Sequence, residues 1–500
     1  MSRTAGRLRG NADRLAVALL AGIAGVAGSY AVAGSTPGFV AGPIAGLLAR
    51  VTPGAVVAAA IVVLGDLGHQ LTLLGAVAIA VAGLGGAGSL GVAVADRTST
   101  PLAGAVVATP VGAVLAFAVT FAPAASAVAG LGVGAVVAAA ELLAARTTPG
   151  FSRRRRRVVG GAASALGLGA AGVLLGSGAG AESTDSDAPS VGDGAEFDTP
   201  VSAMLADAAS NSLEVAGLEG LVSEEFYTVD INATDPTVPA GDWTLTVTGD
   251  VAQEVGYSYE ELLGMAAENR FVSLRCVGER LNGRKLDTAV WTGVPLSELV
   301  EPAGVPENCC VMLRAADDYF EEFPLAALQD DGLLAFGMNG QLLPRSHGYP
   351  ARALIPGHWG EINVKWLTEI EVLEEPAEGY WEQRGWHGTG PVNTVAKLHV
   401  DNRLEDGRIE VAGHAYAGTR GIERVEVSTD GGDTWAEATL SEPLPGDDVW
   451  RQWVYRYDAP GERHEVVVRA TDGTGELQPR ERADSYPSGA TGWVSKTIRP

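Results

Sequence analysis

Between Leu15 and Ala145 the only charged side chains are Arg50, Asp66, Asp96, Arg97 and Glu141, in a background of Ala, Gly, Val and Leu. No other feature limits the fold as much. A stretch so poor in polar side chains suits hydrocarbon, where a helix satisfies its own N–H and C=O groups. Apolar segments near the ~20 residues needed to cross a bilayer run at about 14–34, 70–94, 102–122, 124–145 and 158–178. The segment 37–66 is interrupted by Pro43, Arg50 and Pro53, and reads either as a re-entrant or surface hairpin or as a pair of short spans. Arg3, Arg7, Arg9 and Arg14 place the N-terminus inside, and five crossings keep Arg97, Arg146 and the arginine run 153–157 inside too. Everything after residue 180 is then expected on the extracytoplasmic side of the cell membrane. Ser152-Arg153-Arg154 before a weakly apolar, glycine-rich span fits either a twin-arginine export signal or a plain cytoplasmic charge anchor. Gly167, Gly169 and Gly172 match GxGxxG, but no strand precedes them, so they read as helix-packing glycines. His69 is the only histidine of this part, which excludes a membrane haem held by two of its histidines.

The rest of the chain is a different material. It carries nearly all the Trp and Tyr and essentially the whole net charge of -25. Lysine is almost absent (Lys285, Lys365, Lys397 and Lys496), as on a halophilic surface kept solvated in salt. Such a surface argues against nucleic acid, which needs basic patches. Residues 181–200 hold almost nothing that could enter a core and read as an acidic tether. The alternation Trp243-Thr244-Leu245-Thr246-Val247-Thr248 predicts a half-buried strand. Ser258, with Glu261 three residues on, predicts the capped start of a short helix. Alternation over 422–428, the turn Asp430-Gly431-Gly432-Asp433 and Trp435 predict a hairpin. With further strands near 408–416, 449–457 and 463–471, the C-terminal part is expected to be an immunoglobulin-like β-sandwich without the Cys…Trp…Cys pattern of a true immunoglobulin domain. The expected organisation is multi-domain: a helical transmembrane domain (1–180), an acidic flexible linker (181–214), an α+β domain (215–392) and the sandwich (393–500).

Cys276, Cys309 and Cys310 are too few for a disulfide framework and lack zinc-finger spacing. Cys276, in Arg275-Cys276-Val277-Gly278-Glu279-Arg280, is either a small core residue or a metal ligand. The run His347-Gly348-Tyr349-Pro350-Ala351-Arg352, continuing to Val364-Lys365-Trp366, gathers a His, an Arg and a Lys in glycine-rich turns. Cationic donors in such loops suit a phosphate-bearing ligand. Their plainer readings are a turn-satisfying His347 and a surface Lys365.

The segments LRCVGE, AVWTGVPLSELV, AADDYFEEFPL, MNGQLLPRSHGYPARALIPGHWG, VKWLTEIEV and YWEQRGW, in this order between Asp242 and Trp386, resemble the sulfite oxidase family of molybdopterin enzymes. The stretch 409–469, with RGIERVEVSTDGGDTWAEA, is similar to that family's dimerisation domain, and the membrane part to the anchors of some prokaryotic members. The resemblance implies a molybdenum-molybdopterin cofactor with Cys276 as thiolate ligand, a soft donor suited to that metal. It implies His347, Arg352, Asn363 and Lys365 as cofactor-binding residues, the last two near the phosphate, and Asp317 as a cofactor-binding acid. The family's Arg-Asn-His signature is replaced by Val229-Asp230-Ile231-Asn232, the basic pair after the cysteine is reduced to Arg280, and its active-site tyrosine appears as Trp386. Arg280, His358 and Trp386 are the candidate substrate-pocket residues. The expected activity is two-electron oxygen-atom transfer, on sulfite or a related sulfur oxyanion, or in reduction of an S-oxide or N-oxide. The competing reading of another class is a cofactor-free membrane receptor displaying a β-sandwich. No haem is expected in this chain, so a separate electron carrier (a cytochrome, a copper protein or a quinone route) is implied, as is a homodimer.

Overall fold

The computed structural model describes residues 2–53, 66–98, 100–145, 198–232, 234–306 and 309–499, with the isolated positions 56, 57 and 60. The chain forms two compact units, one built on the apolar N-terminal part and one on the residues from 198 onward, apart from 230–237, which group with the first.

In the first unit the described helices are α1 (Ser2–Ala33), α2 (Ala41–Val51), α3 (Asp66–Ala95), α4 (Ala103–Thr120) and α5 (Pro123–Ala145). Four contain stretches long and apolar enough to cross a membrane: Arg14–Ala33, Gln70–Ala95, Ala103–Thr120 and Pro123–Ala144. These coincide with four of the five expected spans; 158–178 and the Ser152 arginine run lie outside the described residues. Within 37–66, α2 has 11 residues, too short to span alone. Small residues bring the helices together. A Cβ on Gly22 would lie 2.1 Å from Val81 O, and one on Gly132 2.4 Å from Ala24 O, the close backbone approach that drives helix association in lipid.

The second unit begins earlier than expected. Residues 181–214 were to be a flexible linker, but Asp198–Asn211 is a helix, α6. Val201, Met204, Leu205 and Ala208 recur at helical spacing, and Val201 and Ala208 are buried in a cluster with Leu221, Phe271 and Trp450. The short apolar stripe sits among acidic and small residues, which conceal it in a composition reading.

The α+β part holds two sheets. One runs β2 (Val255–Ser258), β1 (Thr244–Gly249), β10 (Leu367–Leu373), β5 (Cys310–Ala315), β6 (Phe320–Pro324), with only β1 and β10 parallel. The expected alternation holds in β1, where Leu245 and Val247 are buried. The other runs β3 (Glu268–Arg275), β4 (Leu286–Pro295), β7 (Leu333–Met338), β8 (Gln341–Leu342), with β9 (Arg352–Leu354) also on β7. Helices α7 (Tyr259–Leu263), α8 (Leu296–Val300) and α9 (Leu325–Asp331) are short, and Ser258 caps α7 through the expected reciprocal pair with Glu261.

The C-terminal part is a sandwich of two antiparallel sheets. The first comprises β11 (Val395–Ala396), β12 (Val400–Arg403), β13 (Arg408–Tyr416), β16 (Thr439–Leu440) and β17 (Arg451–Asp458). The second comprises β14 (Ile422–Ser428), β15 (Ala436–Glu437), β18 (His464–Asp472) and β19 (Val494–Ile498). Val411, Val425, Trp453, Val466 and Val468 form the shared core.

Candidate functional site

Cys276 opens the loop joining β3 to β4. Arg275 pairs with Leu286 at the base of this hairpin, and Cys276 N–H donates to Lys285 O at 3.0 Å. Cys276 is the free cysteine among the described residues, since Cys309 and Cys310 form a disulfide. As a residue it is half-buried. Burial pushes its thiol up to about 11, against the pull of Lys285 and the Gly278 N–H. It is therefore protonated at neutral pH until a metal displaces the proton.

His347, Arg352 and Lys365 meet in one place. Gly348 adopts φ +113°, and a Cβ there would sit 3.0 Å from both Arg352 Cβ and Lys365 Cβ, so only glycine lets these chains approach. Arg352 is buried, donates to His347 O (3.2 Å) and Asn363 O (2.9 Å), and lies 5.2 Å from the Trp291 ring centre. Asn363 Oδ1 accepts from Ile355 N (2.6 Å) while its Nδ2 donates to Trp359 O (3.0 Å). Lys365 Nζ donates to Ser346 O at 2.8 Å. Burial, with Arg352 and Lys365 alongside, pushes the His347 imidazole down to about 3, so it is neutral. Tyr227 joins this cluster to the cysteine. A Cβ on Gly360 would meet its hydroxyl at 2.7 Å and Arg275 O at 3.3 Å, beside the residue before Cys276, while the preceding Phe226 ring packs edge-on against His347 at 5.7 Å. Tyr227 is absent from the sequence-predicted site because it only precedes the departure at Val229-Asp230-Ile231-Asn232 and carries no motif of its own.

The other expected residues are more scattered. Asp317 Oδ1 accepts from Tyr319 N (3.1 Å) in the turn after β5, and that turn is tied to the residue after Lys365 by Ala316 N–H to Trp366 O at 2.9 Å. His358 Nδ1 lies 2.9 Å from Pro356 O within its own loop, and burial lowers its pKa. Trp386 is buried against Trp381 and Tyr486, and its indole N–H has no hydrogen-bond partner among the described residues. Arg280 is exposed.

Beside the cysteine lie carboxyl groups that sequence reasoning missed. A Cβ on Gly388 would meet Glu361 Oε1 at 2.2 Å and Val277 Cγ2 at 2.7 Å, which puts the Glu361 carboxyl next to the residue after Cys276. Tyr319 Oη lies 2.8 Å from both Glu321 Oε2 and Glu361 O. Over Gly379 the same construction meets Glu321 Oε1 and Glu382 Oε2 together. Burial, then Glu382, push the Glu361 carboxyl up to about 8, and burial with Glu382 raises Glu321 as well. In sequence these acids are indistinguishable from the acidic surface.

This set fits a sulfur-ligated, phosphate-bearing metal cofactor. A neutral imidazole, two cations and an amide gather at the Gly348 turn, the Phe226–Tyr227 pair links them to the Cys276 loop, and Trp386, in one cluster with Val277, holds an indole N–H without a partner among the described residues.

The oxidoreductase molybdopterin-binding domain matches residues 232–381 and the Mo-co oxidoreductase dimerisation domain residues 391–488. Mitochondrial sulfite oxidase of Mus musculus is 29% identical over 279 residues, 45% of this chain and 51% of that protein. Sulfite oxidase of Arabidopsis thaliana is 26% identical over 303 residues, covering 47% and 76%. NADH nitrate reductase of Solanum lycopersicum is 26% identical over 324 residues, covering 49% and 35%. The chain spans about half the length of the mammalian relatives it matches. A solved structure, the sulfane dehydrogenase SoxCD of Paracoccus pantotrophus, overlaps 58% of this chain and 87% of its own at 22% identity and a TM-score of 0.47, too partial to bear on the assignment. The two matched domains, in order, the first spanning Cys276, Asp317, His347, Arg352, Asn363 and Lys365, displace the reading as a cofactor-free receptor. The chain belongs to the sulfite oxidase family of molybdopterin-dependent oxidoreductases.

Proposed function

We propose that this chain is a membrane-anchored enzyme that transfers an oxygen atom in a two-electron step at a molybdopterin-bound molybdenum. The observation that carries the reading is the free thiol of Cys276 on a loop that the Phe226–Tyr227 pair links to the neutral His347 and the Arg352–Asn363–Lys365 cluster. Cys276 would ligate the metal, and Arg352, Asn363 and Lys365 would orient the pterin and its phosphate, with Asp317 on the adjoining turn. The bound group supplies the redox chemistry and the protein supplies position and electrostatics. Electrons leave or arrive through a separate carrier (cytochrome, copper protein or quinone route). The C-terminal domain pairs two copies. The arginines at 3, 7, 9 and 14 and at 153–157 support a catalytic unit on the extracytoplasmic side.

Sulfite or a related sulfur oxyanion is the substrate suggested by the relatives' names. The buried carboxyls favour a second reading, reduction of an uncharged S-oxide or N-oxide. A dianion is repelled by any ionised carboxylate at short range, whereas a protonated Glu361 can donate a hydrogen bond to an oxide oxygen. Purified full-length enzyme assayed with sulfite and an electron acceptor, and with S-oxides and a reduced dye, tests both. Turnover of sulfite alone supports the first reading, turnover of S-oxides alone the second. Turnover of neither, in protein carrying molybdenum, contradicts both.

A further inference from the structure

The loop that carries Cys276 is held mainly from the C-terminal domain. Glu279, 3% exposed, accepts at Oε1 from Lys285 N (2.6 Å) and from Lys397 Nζ, and at Oε2 from Arg275 Nε (3.2 Å). Lys397 is 0% exposed and also donates to Gly283 O at 3.2 Å. Asn282 pairs with Leu398 in both directions, its Nδ2 donating to Leu398 O (2.9 Å) and its Oδ1 accepting from Leu398 N (2.8 Å). His399 Nε2 lies 3.1 Å from Gly283 O. Arg275 donates to Asn393 O (2.9 Å) and Ala490 O (3.2 Å). A buried ion pair of this kind adds little net stability over an apolar pair of equal size, but separating its partners leaves a buried charge uncompensated, which holds both in one arrangement.

We propose that Lys397, acting through Glu279 and together with Asn282, is a positioning device for the metal-binding thiol: residues 397–399 of the sandwich fix the 276–285 loop and so the aim of Cys276. The dimerisation-type domain is thereby part of the active site's framework within a single chain. The proposal rests on the reading of Cys276 as the metal ligand.

The test uses the full chain without cofactor, with iodoacetamide labelling followed by peptide mass spectrometry so that Cys276 is read apart from Cys309 and Cys310. Asn282→Ala removes both bonds to Leu398 without changing charge, at an exposed position where folding is retained. Lys397→Met removes the ammonium, and Lys397→Arg restores it. Well below the unfolding midpoint, alkylation is expected to be about tenfold faster in Asn282→Ala and Lys397→Met, and within about twofold of the parent in Lys397→Arg. A general loss of stability lowers the midpoint without accelerating alkylation at low temperature. Parent-like alkylation in Asn282→Ala overturns the proposal, and that variant decides alone if Lys397→Met does not fold. Metal analysis of the parent protein keeps the two claims apart. A chain that never carries molybdenum overturns the ligand reading, while the alkylation rates still report whether the clamp exists.

Discussion

Asp448 is buried between the two domains of the catalytic unit, accepting from the Tyr416 hydroxyl at 2.6 Å. Burial pushes its carboxyl up to about 7, whereas in the unfolded chain it titrates near ~3.9. The folded state thus holds this proton more tightly. The stability it contributes is complete below about pH 4 and is lost as pH rises through about 7. Asp448→Asn keeps the acceptor for Tyr416 and removes the titration. Calorimetry should find it more stable than the parent at pH 8, by at most about 4 kcal/mol, and little changed at pH 4; equal differences at both pH values would contradict this. Asn363 makes a second residue-scale case. Asn363→Leu orphans Ile355 N–H and Trp359 C=O, each at about 1–3 kcal/mol. A lower denaturation midpoint in cofactor-free protein, together with weaker cofactor retention, is expected.

At the scale of elements, the strands of the C-terminal part were legible: β13 spans Arg408–Tyr416 and β14 Ile422–Ser428, the stretches expected. The capped start of α7 was legible too, since Ser258 and Glu261 are a local device. The cationic cluster was legible as residue types, but only the fold brings Lys365 to Gly348. Two things were not legible. Helix α6 hides a four-residue apolar stripe in an acidic segment, and the Glu321–Glu361–Glu382 group is assembled from three separate segments by tertiary contacts alone. The helix gives a direct prediction. Val201→Asp would put an unpaired carboxylate into the Leu221–Phe271–Trp450 cluster, costing several kcal/mol. Limited proteolysis should then cut within 198–214, where the parent resists; equal resistance would mean that the docking contributes nothing.

For the whole molecule, the net charge of -25 is spread over a surface with almost no lysine. Raising salt from 0.1 M to 1 M shortens the screening length from about 10 Å to about 3 Å, so the apparent melting temperature of the catalytic unit should rise across that range. A flat or falling profile would show that self-repulsion is not a significant term. The family's two domains and the site converge on one sulfur atom. X-ray absorption at the molybdenum edge, on full-length protein and on Cys276→Ser, is the most direct measurement of that convergence. The account predicts molybdenum near one per chain in the parent and the loss of one sulfur from its coordination shell in the variant. A parent free of molybdenum, or a sulfur shell unchanged by the substitution, would contradict it.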